Sequence, residues 1–170
     1  MHLPPIISIV SKKKAGKTTL IVKLIPELKN RGYRVGTLKH DTHGFDIDHE
    51  GKDTYKHKEA GSDTVVISSP WKISIIKDVR QEMSVDELVK SYFYDVDIVV
   101  TEGYKRANKL QIEVFRKSAH EYPMYKKGDK STTIAIASDT PLDVDIPIYN
   151  INDIKAIADL IESKLLLKPL

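Results

Sequence analysis

The run Ser11-Lys12-Lys13-Lys14-Ala15-Gly16-Lys17-Thr18-Thr19 has the residue types of a phosphate cradle. Lys17 can neutralise β- and γ-phosphate oxygens, and the Thr18 hydroxyl can ligate Mg²⁺. Gly16 lets the backbone approach a phosphate with no Cβ in between. Lys14, Ala15 and Thr19 contribute main-chain N–H groups to the same loop. The spacing follows G-x-x-x-x-G-K-[ST] with one departure: Ser11 stands at the first glycine. That substitution is expected to cost some backbone freedom. Lys12, Lys13 and Lys14 either raise the local potential for anions or are solvated turn lysines.

A triphosphate site of this kind also needs a carboxylate at the end of a neighbouring strand, to hold Mg²⁺ or its waters. Ile98-Val99-Val100-Thr101-Glu102-Gly103 offers Glu102, whereas Asp97 lies at the opposite end and reads as a strand-boundary residue. Asp139 follows the apolar run Ile134-Ala135-Ile136-Ala137. A carboxylate there would accept the N1 and N2 protons of guanine and repel the adenine edge, or it would serve a Ser-Asp-Thr-Pro turn. An Asn-Lys-x-Asp sequence, which reads guanine in many GTPases, does not occur. His40, His43, His49 and His57 lie near Asp41, Asp46 and Asp48, which raises zinc. They form no compact pair of metal-ligand spacings, and a polar phosphate-site loop accounts better for the composition.

The elements that must position these residues are legible in part. Ile6 to Val10 reads as a buried strand running into the loop. From Thr18 a helical pattern of Leu20, Ile21, Leu24, Ile25 and Leu28 runs to Gly32, with a kink expected at Pro26. Arg34 to Lys39 is a second strand. A loop rich in His, Asp and Gly over Asp41 to Gly51 leads into a helix from Asp53 to Ala60, closed by Gly61. Thr64 to Ser68 and Lys72 to Asp78 predict a hairpin attached to the main sheet, with Trp71 beside Pro70 packing on it rather than serving as a platform for a pterin ring, or else standing exposed at a partner surface. Ser84 and Glu87 match a capping box. Asp97 to Thr101, Ile112 to Phe115, Thr132 to Ala137 and Ile148 to Asn150 are further strands, with Lys117 to Ser131 left open between loop and short helix. A last helix is expected from Asp153 to Leu167, capped by Asn152. Strands alternating with helices, several of them continuously apolar, predict an α/β three-layer fold with a mainly parallel sheet and an added β-hairpin. Ligands in such a fold sit at the C-terminal ends of the strands.

At 170 residues the chain is read as one nucleotide-binding domain, residues 1–170. A net charge of only +3 creates no demand for nucleic acid. No stretch suits a membrane span, and Met1 to Val10 has no cationic leader. With no cysteine to form disulfides or thiolate metal sites, a cytoplasmic location is expected.

With these residues in place, the chain resembles the MobB family of P-loop proteins, which serve molybdenum cofactor guanine dinucleotide biosynthesis. The resemblance rests on Ala15-Gly16-Lys17-Thr18-Thr19-Leu20 and on Arg31-Gly32-Tyr33-Arg34-Val35-Gly36-Thr37-Leu38-Lys39-His40. It continues in Phe45-Asp46-Ile47-Asp48-His49-Glu50-Gly51-Lys52-Asp53 and in Glu102-Gly103-Tyr104-Lys105. A P-loop alone would mark a vast superfamily, whereas this ordered series is far more specific. The resemblance implies a GTP-binding, dimeric protein that associates with the MobA nucleotidyltransferase, which joins GMP to molybdopterin. It places Thr18, Asp48 and Glu102 at Mg²⁺ and Gly16 to Thr19 at the phosphates. Lys39, His40 and Lys105 would offer positive or donor groups, and Lys17 and Glu102 would carry any hydrolysis, which is expected to be weak.

Two other functions use the same loop. A small-molecule kinase would call for an arginine-rich lid, and the five arginines, at 31, 34, 80, 106 and 116, are scattered. An ATPase switch that dimerises over its nucleotide is favoured only by Lys12.

Overall fold

The computed structural model describes residues 3–41 and 43–166. The strands are β1 (Ile6–Val10), β2 (Val35–Lys39), β3 (Thr64–Ser69), β4 (Lys72–Lys77), β5 (Ile98–Glu102), β6 (Leu110–Phe115), β7 (Thr133–Ser138) and β8 (Ile148–Asn150). The helices are α1 (Lys17–Asn30), α2 (Asp53–Glu59), α3 (Val85–Tyr92) and α4 (Ile154–Ile161). They fall into two compact units, one of Met1–His40 with Ser84–Leu170 and the other of Asp41–Met83.

The first unit is built on a six-stranded sheet in the order β2-β5-β1-β6-β7-β8, with every neighbouring pair parallel. Its central strands are buried on both faces and mostly apolar, with Ser8, Thr101, Gln111 and Glu113 as the buried polar exceptions. On one face Ile7, Ile9, Ile98, Val100 and Ile112 pack with Leu20, Leu24 and Leu28 of α1 and Ile157 and Ile161 of α4. The alternate residues Ile6 and Val99 meet Val85 and Val89 of α3 on the other. Each such leucine or isoleucine, fully buried, stabilises the fold by about 1.5–3 kcal/mol.

α1 runs unbroken through Pro26. It ends where Gly32 N–H bonds the Lys29 carbonyl and Tyr33 N–H bonds that of Leu28, the paired bonds of a Schellman stop. Arg31 in this last turn pairs with Glu27, Asp159 and Glu162, tying α1 to α4 and the segment after it. The capping box at α3 forms as expected, with Ser84 and Glu87 bonded reciprocally.

The last helix differs from the sequence expectation. Its cap is Asp153, which accepts the Ala156 N–H at 3.1 Å. Asn152 cannot serve, because its side-chain oxygen faces Lys23 and its own N–H is bound to Asn150 Oδ1. α4 gives way at Glu162 to one wider π-type turn through Leu166, and Leu167 lies outside the described residues. The segment 117–131 forms turns rather than a helix. It is anchored by the buried Glu113 carboxylate, which accepts the N–H groups of Met124 and Tyr125.

The second unit holds α2 and the hairpin β3–β4. These strands pair only with each other, so the hairpin is a separate two-stranded antiparallel sheet and not an extension of the main one. The turn is shorter than expected: Ser69 pairs with Lys72, leaving Pro70 and Trp71 as the loop. Trp71 is 95% exposed at this tip, so it does not pack on the hairpin. Among the described residues no helix is long and apolar enough to cross a membrane.

Candidate nucleotide site

β1 ends at Val10 near the centre of the parallel sheet, and the chain turns directly into the loop that precedes α1. Lys14, at φ 62°, and Gly16, at φ 100°, take left-handed conformations that turn successive N–H groups toward one concavity. α1 starts with no side-chain cap and no acidic residue in its first turn. Its first N–H groups are therefore not capped by any side chain of the helix itself. Ala15 is buried in the core and fixes the loop, whereas Thr18 and Thr19 are exposed on the first turn.

Ser11 replaces the first glycine without the expected cost in backbone freedom, since it does not take a left-handed φ. Its hydroxyl works inside the loop, donating to the Lys12 carbonyl at 2.5 Å and accepting from Lys17 Nζ at 2.9 Å. Burial pushes the Lys17 ammonium below its ordinary value of 10.5, opposed by Glu102 and reinforced by Lys105 and Lys39. Three lysines thus face one carboxylate, and an anionic ligand would relieve their repulsion.

Thr18 and Glu102 meet across the β1–β5 junction. Thr18 Oγ1 donates to Oε1 and Oε2 of Glu102, each at 3.0 Å. The sheet fixes this carboxylate: Glu102 is in register with Ile9 of β1 and Lys39 of β2, and its carbonyl accepts the His40 N–H. The His40 and Tyr104 rings stack at 4.8 Å. The loop carrying Lys105 is held through its carbonyl by Gln111 Nε2 at 2.8 Å. A hydroxyl and a carboxylate are the hard oxygen donors that Mg²⁺ accepts alongside water and phosphate oxygens, so the pair fits that ion.

The opposite flank of the loop joins Asp139, a candidate from the sequence, to residues that motif reading overlooks. Arg116, the first residue after β6, lies against Gly16, where a Cβ would come within 3.2 Å of its Nε. Its guanidinium faces Asp139 at 3.6 Å, and Asp139 Oδ1 accepts the Lys117 N–H at 3.2 Å. Beyond them, His120 Nε2 contacts the Lys13 carbonyl at 2.6 Å and Lys12 Nζ donates to the Tyr122 carbonyl at 2.7 Å. Lys12 is therefore a tether for this loop. The one signal that could have singled out Arg116 is its position at the C-terminal end of a buried strand.

The structure thus brings Lys17, Thr18, Glu102, Lys39 and Lys105 together on one flank of the loop, and Arg116 with Asp139 on the other. Asp48 belongs to the second unit. Its Oδ1 accepts the His49 N–H at 2.9 Å, and its buried Oδ2 has no hydrogen-bond partner among the described residues. A metal role for Asp48 rests on sequence alone.

Residues 6–139 match the MobB family, described as molybdopterin guanine dinucleotide synthesis protein B. Over 160 residues the chain is 33% identical to the molybdopterin-guanine dinucleotide biosynthesis adapter protein of Escherichia coli strain K12, covering 92% of this chain and 91% of that one. The adapter protein of the same description from Haemophilus influenzae is 35% identical over 160 residues, or 94% and 88% of the two chains. The crystal structure of Bacillus subtilis MobB is similar at a TM-score of 0.75 and 26% identity, over 96% of this chain and 99% of that one. A crystal structure of molybdopterin-guanine biosynthesis protein B gives 0.72 at 28% identity, over 94% and 99%.

Proposed function

The chain belongs to the MobB family, and we propose that it binds GTP with Mg²⁺ and acts as the adapter of a MobA-type nucleotidyltransferase in molybdopterin guanine dinucleotide biosynthesis. The observation that carries the nucleotide half of this reading is the Thr18–Glu102 pair at the start of an uncapped helix, with Lys17 beside it. Donating its proton to Glu102 leaves the Thr18 oxygen its lone pairs for a cation. When bound, Mg²⁺ draws charge from the β- and γ-phosphates. The loop N–H groups and Lys17 orient the same phosphates, while Lys39, His40 and Lys105 add donors at the rim.

Binding and orientation are what these side chains do well. Hydrolysis also needs a positioned water and charge stabilisation beyond the loop, which a partner would supply, so the intrinsic rate is slow. The adapter half rests on the relatives' descriptions. Val66, Ile73 and Ile75 lie exposed on one face of the β3–β4 hairpin, an apolar surface suited to a second subunit or another protein. Homodimer formation is part of the proposal. The ATPase-switch reading gains nothing from Lys12, whose ammonium is engaged by Tyr122.

The test is reconstitution. A MobA-type nucleotidyltransferase should form more molybdopterin guanine dinucleotide with this protein and GTP than without it, and Lys17→Ala should abolish the gain. An unchanged yield, with no association between the two proteins, would contradict the adapter role.

A further inference from the structure

We propose that Arg116 and Asp139 act together as a reader of guanine, with Arg116 donating to O6 and N7 and Asp139 accepting from N1 and N2. This rests on the reading of the loop as a nucleotide site and assigns its specificity.

The sheet order divides the site. β1 lies between β5 and β6, so Glu102 and Thr18 occupy one flank of the phosphate loop while Arg116 and Asp139, at the ends of β6 and β7, occupy the other. With the metal-side carboxylate on the first flank, the second is left for the nucleoside. Arg116 is already in place there, its guanidinium against Gly16.

The two groups are oriented but not used up. Their 3.6 Å separation exceeds the roughly 2.7–2.9 Å of a charge-assisted hydrogen bond. Among the described residues the guanidinium makes no hydrogen bond of normal length. Asp139 accepts only the Lys117 N–H, so both side chains, 31% and 30% exposed, keep capacity for a ligand. A cleft of about 580 Å³ begins at the next residues, Lys117 and Thr140, and has Tyr122, Pro123, Pro141 and Leu142 among its walls; Arg116 and Asp139 stand at its side and do not line it. That is room for a planar base against apolar surface.

The donor pattern decides which base. Guanine presents two acceptors, N7 and O6, followed by two donors, N1–H and N2–H. A guanidinium beside a carboxylate is the complement of that row. Adenine puts an amino group where Arg116 donates and a bare N1 where Asp139 needs a proton. Xanthine keeps N7, O6 and N1–H but replaces the amino group with a carbonyl that faces the carboxylate. Rejection in both cases comes from opposed like groups.

Calorimetric titration of the full chain with GTP, 7-deaza-GTP, XTP and ATP, all with Mg²⁺, tests this directly. The parent should bind GTP about tenfold more tightly than 7-deaza-GTP, which lacks the N7 acceptor, and Arg116→Ala should bind the two alike. Asp139→Asn should prefer XTP over GTP, because its amide can donate to the added carbonyl. Equal binding of GTP and 7-deaza-GTP by the parent, with Asp139→Asn still preferring GTP to XTP, would overturn the assignment and leave the nucleotide site standing. So would variants that lose thermal stability and weaken all four ligands equally, the behaviour of a purely structural ion pair. A parent that binds none of the four would overturn both this inference and the nucleotide site beneath it.

Discussion

Thr18 Oγ1 shares its proton between the two carboxylate oxygens of Glu102 at 3.0 Å, across 84 positions of sequence. The parallel pairing of β1 with β5 makes the contact, because it brings the loop after Val10 and the end of Ile98–Glu102 to the same edge of the sheet. Glu102→Gln keeps the shape and removes the charge that a cation needs. The variant should lose roughly tenfold or more in Mg²⁺-dependent affinity for GTP, about 1.4 kcal/mol, with little change in binding measured in EDTA. Paired calorimetric titrations with and without Mg²⁺ check it, and equal losses in both would assign Glu102 a role unconnected with metal.

Lys17 is held below its ordinary value of 10.5, first by burial. The folded chain therefore binds this proton less tightly than the unfolded chain does. The resulting penalty is present in full below the lowered folded value and is relieved as pH rises from there toward 10.5. Lys17→Met removes it, so the variant should melt at or above the parent's temperature at neutral pH while losing GTP binding. Thermal denaturation from pH 7 to pH 10.5 should show the parent's deficit closing as pH rises.

Asp97 accepts both the backbone N–H and the guanidinium of Arg34, which hold its carboxyl down at about 2. A carboxylate with a depressed folded value stabilises the fold above its unfolded value near 3.8 and loses that contribution as pH falls through the folded one. Asp97→Asn should therefore be less stable than the parent at pH 6, with the difference shrinking between about pH 4 and pH 2. Urea denaturation at a series of pH values measures it.

How much of this was legible beforehand depended on whether the information is local. Lys17, Thr18 and Gly16 are adjacent in sequence, and Glu102 ends an apolar run, so both partners of the Thr18–Glu102 contact could be picked from pattern. A mainly parallel sheet followed from apolar strands alternating with helices, and the structure makes all six strands of the main sheet parallel. Arg116 also follows a buried strand, but its contact with Gly16 depends on β6 lying beside β1, which is a fact of sheet order. The cap of α4 falls one residue later than the sequence suggests, on Asp153, because Asn152 and Asp153 are both good caps and adjacent in sequence, so local pattern does not choose between them. The hairpin was recognised from its β-rich runs and turn, but no local signal says whether its strands join the main sheet.

Ser11 offers a separate test of the loop. Its hydroxyl holds Lys17 Nζ at 2.9 Å, and a triphosphate must compete with that bond. Because Ser11 needs no left-handed backbone, alanine fits the same conformation. Ser11→Ala should bind GTP about two- to fivefold more tightly, a few tenths of a kcal/mol to ~1 kcal/mol. A weaker complex would mean that the serine hydroxyl itself helps hold the ligand.

Titration of the purified protein with GTP, ATP and CTP in Mg²⁺, beside Lys17→Ala, asks whether residues 11–19 form a working triphosphate site selective for guanine. Clear binding with preference for GTP, lost in the variant, is the expected result. Preference for ATP, or binding that survives in Lys17→Ala, would contradict it.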